Sequence, residues 1–301
     1  MYYFRNINWR LVLPIAAVML FTASCAAVAQ VTKTASSATA PTATTGTKTT
    51  QTTAQTGTQK PSGGGQTGKA AAPAGYDDTP ASVRKLITDS QAAMKKYADA
   101  GRGVHFSDNT TLSLKNMTLL SEAEGDMMPG KAKYHGQIRM PKELMPCGCP
   151  NPILYDAVIT NGMFYLKLQG DQWESKSTAD LDDLNSDVDN TDFLQYVNSW
   201  KNLGYETLDG SRVYHVRIGY DANALYGKLE QELKPNVDPE TRSGMDKLKT
   251  SVLVDDIWIG ADNLLVYQVT SHFRNDDLFI DGDDMYMMWN WGEQVDIKPP
   301  I

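Results

Sequence analysis

The sequence has few of the residues from which most catalytic and metal sites are built. Its 301 residues include only three cysteines and four histidines. The histidines are scattered along the chain, at positions His105, His135, His215 and His272. Nucleophilic catalysis needs a serine or cysteine beside a histidine base and an orienting acid, and the sequence has no nucleophile-elbow pattern. We therefore predict a protein that is not an enzyme and that uses no metal or cofactor.

Positive charge is also scarce. The chain has 36 acidic and 28 basic side chains, which gives a formal net charge of −8. A basic surface is what nonspecific nucleic-acid binding requires, so nucleic acid is not an expected partner.

Residues 1–29 have the pattern of an export signal. Arg5 and Arg10 form a basic start, and the apolar stretch at 11–21 is too short for a stable membrane span. Two cleavage sites are open. Ala27-Val28-Ala29 fits signal peptidase, whereas residues 22–25 resemble a bacterial lipobox that ends in an acylated Cys25. We expect an extracytoplasmic protein, anchored to the cell membrane through Cys25 or, alternatively, secreted.

Residues 30–77 are rich in Thr, Ala, Gly, Ser and Gln and contain almost no large apolar side chain. Such a segment cannot bury enough surface to offset the entropy of an ordered chain, which predicts a disordered tether. Residues 78–301 then form one folded domain.

The folded domain begins with a helix and continues with strands. Thr79 is a capping residue before Pro80, and apolar residues recur at helical spacing up to Gly101. Between 131 and 140, Ala132, Tyr134, Gly136, Ile138 and Met140 alternate strictly with polar neighbours, which predicts a strand with one buried face. Asn161-Gly162 and Asp209-Gly210 predict hairpins between the later strands.

Further helices and a last strand complete the predicted α+β fold. Asp192 is predicted to cap a helix that contains Phe193 to Trp200, and Asp221 a second helix. The final strand, at about 284–291, has few polar breaks and is predicted to be buried on both faces. Consecutive hairpins make a single curved antiparallel sheet, and the helices must cover one of its faces.

Three further motifs suggest local chemistry. Asp183, Asn185 and Asp187 alternate like the start of a calcium loop, but Val188 and Leu194 occupy positions that need glycine and a bidentate acid. Residues 281–284 are predicted to form a turn. Cys147-Gly148-Cys149 is half of a zinc site, a redox pair or a small disulfide; an oxidising compartment favours a disulfide between Cys147 and Cys149.

Several segments resemble the LppX/LprAFG lipoprotein family and the wider LolA/LolB-like superfamily. The segments that carry the resemblance are 161–165 (NGMFY), Gln172-Trp173, 210–216 (GSRVYHV), 256–259 (DIWI) and 264–266. The resemblance covers about residues 80–301. It implies an unclosed antiparallel half-barrel whose concave face, covered by helices, encloses an apolar cavity for acyl chains.

The predicted function is non-catalytic binding or carriage of a lipid or other long apolar molecule. The 13 methionines could adapt to such a ligand, although for any single one of them a place in an ordinary core is the favoured interpretation. The alternative is an envelope sensor or assembly protein that uses the same scaffold to bind another protein. Strand parity and helical phase assign eight residues to the cavity: Leu86, Met94, Leu114, Met140, Phe164, Val216, Trp258 and Met287.

Overall fold

The fold consists of one large sheet with helices at its surface. The computed structural model describes residues 75–145, 150–178, 193–232 and 239–300. The helices are α1 (Pro80–Asp99), α2 (Ala222–Glu232) and α3 (Pro239–Leu248), with short 3₁₀ turns at Lys142–Leu144 and Phe193–Tyr196. The strands are β1 (Gly103–Leu114), β2 (Met117–Met128), β3 (Lys131–Arg139), β4 (Ile153–Thr160), β5 (Met163–Leu168), β6 (Glu174–Ser177), β7 (Val197–Leu208), β8 (Ser211–Tyr220), β9 (Val252–Gly260), β10 (Val266–Asn275) and β11 (Ile280–Glu293).

The eleven strands form a single antiparallel sheet in the order β6-β5-β4-β3-β2-β1-β11-β10-β9-β8-β7. The last strand therefore lies in the middle of the sheet, between β1 and β10. In the part of the chain that the structure describes, β6 and β7 are the two edges and do not pair with each other. The predicted α+β class and the unclosed half-barrel are confirmed.

The hairpins follow from local turn chemistry. Asn161 and Gly162 have φ values of 53° and 71°, and Asp209 and Gly210 have values of 48° and 79°. Two consecutive left-handed residues match the right-handed twist of the flanking strands. Both predicted hairpins are therefore present, between β4 and β5 and between β7 and β8.

Helix α1 begins as the sequence predicts. The backbone N–H of Ser82 donates to the Thr79 hydroxyl at 3.3 Å, and Pro80 occupies the first turn, where its missing N–H costs nothing. Val83, Leu86 and Ile87 have no exposed surface. Burial of side chains of this size is worth about 1.5–3 kcal/mol each, so packing against the sheet stabilises the helix.

Two local predictions placed the wrong element, and one helix was missed. The helix predicted from Phe193 to Trp200 is one 3₁₀ turn that leads into β7, because Val197 and Trp200 belong to an edge strand. Residues 281–284 lie within β11, where cross-strand pairing overrides their turn propensity. Helix α3 was not predicted, because its sequence PETRSGMDKL contains few apolar residues.

Several predictions concern residues outside the described ranges. They include the export signal and most of the tether, the acylation of Cys25, the Cys147–Cys149 disulfide, the cap at Asp192 and the calcium-like run at 183–188. These remain predictions.

Candidate functional site

The sheet has two faces of different composition. We call the face that packs against α1 the inner face, and the opposite one the outer face. On β3, the inner face carries Tyr134 and Ile138, whereas Lys133, His135 and Arg139 point outward. The sheet also has two ends. The lower end is where β1 ends, at Leu114, and where β4 and β9 begin. The upper end is where β1 begins, at Gly103.

The upper half of the inner face is filled. Helix α1 packs there in one continuous cluster with residues of seven strands, and the buried members from the sheet are Val104, Phe106, Met127, Tyr205, Tyr214, Val216, Ile218, Ile257, Ile259, Val266, Val269, Tyr286 and Met288. Most of these side chains are almost fully inaccessible to water. The upper half is therefore ordinary core.

The inner face along β4 and β5 and toward the lower ends of β1 to β3 is covered less completely. A small buried cluster of Leu119, Ile138, Met140 and Ile153 lies there. Around it, the apolar inner-face residues are only half-buried: Leu112, Leu114, Tyr134, Tyr155, Ile159, Phe164, Leu166 and Leu168. We call this surface the lower apolar surface.

Aromatic rings separate the two halves. Phe106 stacks on Tyr286 with a centroid distance of 5.4 Å, and Tyr134 contacts both Phe106 at 6.0 Å and Tyr155 at 6.2 Å. Gly136 makes room for this arrangement, because a Cβ there would lie 2.6 Å from the Tyr155 ring. Burial, with a smaller effect from nearby Asp108, raises the pKa of Tyr155 to about 12. The tyrosines are therefore neutral at physiological pH.

A short row of polar side chains crosses the inner face below these rings. The Thr110 hydroxyl donates to Asp284 at 3.1 Å, and the Tyr220 hydroxyl donates to Asp255 at 2.6 Å. Ser271 lies between the two carboxylates, opposite Asp284 on β11 and Asp255 on β9. The inner face is thus not uniformly apolar.

The structure separates the eight residues predicted to line a cavity. Leu114 and Met140 lie on the lower half of the inner face, and Phe164 lies on the same face at the upper end of β5. Leu86, Met94 and Val216 belong to the cluster under α1.

Trp258 and Met287 lie on the outer face. Trp258 pairs with His215 and Met287 with Ser107, each one residue out of phase with the inward-facing Ile257 and Met288. A one-residue offset moves a side chain to the other side of a sheet. These two residues therefore lie on the opposite side of the sheet from the other six.

A histidine cluster on the outer face was missed by sequence reasoning. The two ring nitrogens of His215 contact Glu206 at 2.7 Å and Asp256 at 2.9 Å, and the ring stacks on Trp258. Trp258 donates to Glu206, and Arg217 makes two hydrogen bonds to Asp256. Burial alone would lower the pKa of His215, but the hydrogen bonds to the two carboxylates outweigh it and raise the pKa above its usual value.

A second histidine on the outer face has a similar environment. His105 contacts Asp126 at 2.6 Å and Glu124 at 3.2 Å, and packs edge-on against Trp289. Neither cluster contains a serine or cysteine that the histidine could activate. The contacts of both histidines are those of charged pairs that join neighbouring strands. Among the residues that the structure describes, no group of His, Cys, Asp and Glu could hold a metal ion.

Solved structures of similar architecture are known. The chain is similar to mycobacterial lipoproteins. It is 16% identical to the lipoprotein LppX of Mycobacterium tuberculosis, with a TM-score of 0.44 over 71% of this chain and 99% of that chain. For LprF from Mycobacterium bovis the identity is 16% and the TM-score 0.43, over 74% and 99%. MucB, solved in complex with MucA, is 7% identical, with a TM-score of 0.29 over 67% and 56%.

No family model matches the chain, and no curated protein matches it. The resemblance predicted from the sequence is thus found again among solved structures. Within the described ranges, none of the helices is both long and apolar enough to cross a membrane.

Proposed function

We propose that the protein binds a lipid or another long apolar molecule on the lower apolar surface, without catalysing a reaction. The observation that carries the proposal is the contrast between two parts of the inner face. The part under α1 is sealed, whereas the lower apolar surface keeps eight apolar side chains partly exposed. Partly exposed apolar groups that converge on one face of a curved sheet are typical of ligand sites.

The energetics favour a ligand with a chain of considerable length. Burial of about ten methylenes is worth roughly 8 kcal/mol before the costs of ordering the ligand are subtracted. Leu166 and Leu168 would supply apolar contact for such a chain along β5. The aromatic rings of Tyr134 and Tyr155 would close the surface toward α1. Sequestration of this kind requires no reactive residue.

Two neighbouring residues of β5 provide a matched test. Phe164 lies on the inner face and Tyr165 on the outer face, and both are half-buried. Phe164→Ser should weaken binding of a fluorescent fatty acid at least about tenfold, because it removes apolar contact from the site. Tyr165→Ser should leave the affinity unchanged. Equal affinities of the two variants, each shown to be folded by circular dichroism, would exclude this site.

We also propose that the protein acts outside the cytoplasm, held to the membrane through an acylated Cys25. The proposal rests on the sequence of residues 1–29. In the native host, Cys25 should incorporate a labelled fatty acid, and Cys25→Ala should release the protein into the medium. Unchanged membrane retention of the variant would contradict the anchor.

A protein-binding function is the second candidate, and one feature of the structure favours it. A groove of about 200 Å³ is lined largely by Leu208, Tyr267, Met287 and Trp289. Met287 and Trp289 point outward from β11 at alternate positions. If this groove binds an apolar peptide, Met287→Lys should abolish capture of that partner and leave fatty-acid binding intact.

A further inference from the structure

One carboxylate of the inner face lies among aromatic and apolar side chains. Asp108 is in the middle of β1, directly opposite Ala123 on β2 and Tyr286 on β11. Its position has the same parity as the inward-facing Phe106, and its side chain is half-buried. Among the described residues, no lysine, arginine or histidine forms an ion pair with it. A carboxylate in such surroundings is costly unless a donor or a cation compensates its charge.

The hydrogen bonding of Asp108 compensates little of this cost. The Thr110 hydroxyl lies 3.4 Å from an Asp108 oxygen and 3.1 Å from an Asp284 oxygen. A hydroxyl has one proton to donate, and the shorter of the two contacts is with Asp284. Asp108 therefore keeps acceptor capacity for a group that comes from outside the chain.

Aromatic rings border Asp108 on three sides. Phe106 is the next inward residue above it on β1, and Tyr286 is its neighbour on β11. Tyr155 lies in the same row on β4, and its ring ends 2.6 Å from where a Cβ on Gly136 would be. The residue between, on β2, is a half-buried alanine, so no large side chain of the row separates carboxylate and ring. After burial, Asp108 is the next cause of the raised pKa of Tyr155, which shows that the two groups are close.

The charges at inner-face positions around this point are negative. On strands β1 to β5 and β9 to β11, the charged residues with inward parity are Asp108, Asp255 and Asp284. Within the described strands, basic residues at inner-face positions are Lys176 on β6 and Arg212 at the upper end of β8, five and four strands from β1. Lys115, in the turn after β1, lies over an aromatic ring of the next turn. An anionic group beside Asp108 would be repelled, whereas a cation would be attracted.

Asp108 lies at the boundary of the lower apolar surface. Below it on β1, the inward positions are Thr110, Leu112 and Leu114, which extend over about 20 Å. Across the sheet, Leu168 continues the row of Asp108 and Tyr155. A ligand whose head lies at Asp108 can therefore place its chain on the lower apolar surface.

We propose that Asp108 and the neighbouring rings form a subsite for the ammonium head of a cationic amphiphile whose chain lies on the lower apolar surface. The inference rests on the proposed lipid-binding function and specifies the class of ligand. Aromatic faces attract ammonium groups, and a carboxylate beside them adds the opposite charge. A fatty acid still binds through its chain, with its carboxylate directed away from Asp108.

The test compares two amphiphiles of equal chain length, dodecyltrimethylammonium and dodecanoate, by isothermal titration calorimetry below their critical micelle concentrations. The protein is the mature exported chain with Cys25→Ala, so that no acyl anchor contributes. We expect the ammonium compound to bind at least about fivefold more tightly than dodecanoate. Asp108→Asn keeps the shape of the side chain and should remove this preference. The matched control is Asp283→Asn, an equal change of charge on the outer face of β11, which should leave both affinities unchanged.

A second variant tests the aromatic part of the subsite. Tyr155→Leu keeps apolar contact but removes the ring, and it should weaken binding of the ammonium compound about threefold with little change for dodecanoate. Melting curves check that each variant is folded. Equal affinities of the parent chain for the two amphiphiles, tighter binding of dodecanoate, or equal effects of Asp108→Asn and Asp283→Asn would overturn the inference and leave the proposed function intact. Binding of neither amphiphile would refute both.

Discussion

Tryptophan substitutions at Leu114 and Val216 should have opposite effects on stability and ligand binding. Val216 has no exposed surface, and it lies in the cluster under α1, opposite Asn202 on β7 and Ile257 on β9. Val216→Trp adds about seven heavy atoms where no space exists, and such overpacking costs about 1–3 kcal/mol or more. For a domain of this size, that lowers the melting temperature by roughly 2–12 °C.

Leu114 lies at the lower end of β1, on the half-buried part of the inner face. Leu114→Trp should lower stability by about 1 kcal/mol or less, because the added ring can extend over the lower apolar surface. It should nevertheless displace a fluorescent fatty acid, whereas Val216→Trp should bind it normally at temperatures where the variant is folded. Both quantities can be measured by urea denaturation and by fluorescence titration.

Two results would refute this reasoning. Equal, large destabilisation by both substitutions would mean that the lower half is packed core like the upper half. Blocked binding by Val216→Trp in a fully folded protein would place the ligand under α1 instead.

Three further predictions concern stability. Gly136→Val should lower the free energy of unfolding, measured by urea denaturation, by at least about 1–3 kcal/mol, because the valine Cβ would lie 2.5 Å from the Glu122 carbonyl oxygen. As a control, a Cβ at Gly244 on α3 meets nothing within 4 Å, so Gly244→Ala should be neutral or stabilising. His215→Gln should flatten the pH dependence of stability. Because the folded-state pKa of His215 is raised, the protonated ring stabilises the fold fully at pH values below its unfolded-state pKa of about 6.5, and this stabilisation is lost as the pH rises through the folded-state pKa. An unchanged pH dependence of stability in the variant would contradict the charged pairing. A chain that begins at Tyr76 should melt within about 2 °C of the mature protein, since the preceding residues offer almost no apolar surface, and a larger drop would contradict an independent tether.

Much of the fold could be predicted because local signals agreed with tertiary structure. Thr79-Pro80 fixed the start of α1, and Asn161-Gly162 fixed a hairpin. The strict alternation from Ala132 to Met140 assigned the faces of β3 correctly. In these segments, propensity, turn chemistry and burial favour the same structure.

The candidate site was harder to predict because it depends on which half of a face is covered. The sequence shows that Val216 and Leu114 are apolar, but only the path of α1 makes one of them core and leaves the other half-exposed. On β9 and β11, apolar residues point to both faces, so alternation could not assign Trp258 or Met287. The His215 cluster joins residues from three strands, up to 52 positions apart in the sequence. Only the pairing register reveals it.

The most direct test of the central claim is native mass spectrometry of the protein purified from its host, followed by organic extraction and identification of the bound molecule. We predict a bound species with at least one long acyl or other apolar chain, present in the parent protein and depleted by Leu114→Trp. A parent protein that carries no such molecule, and that takes up none from added lipid, would contradict the claim.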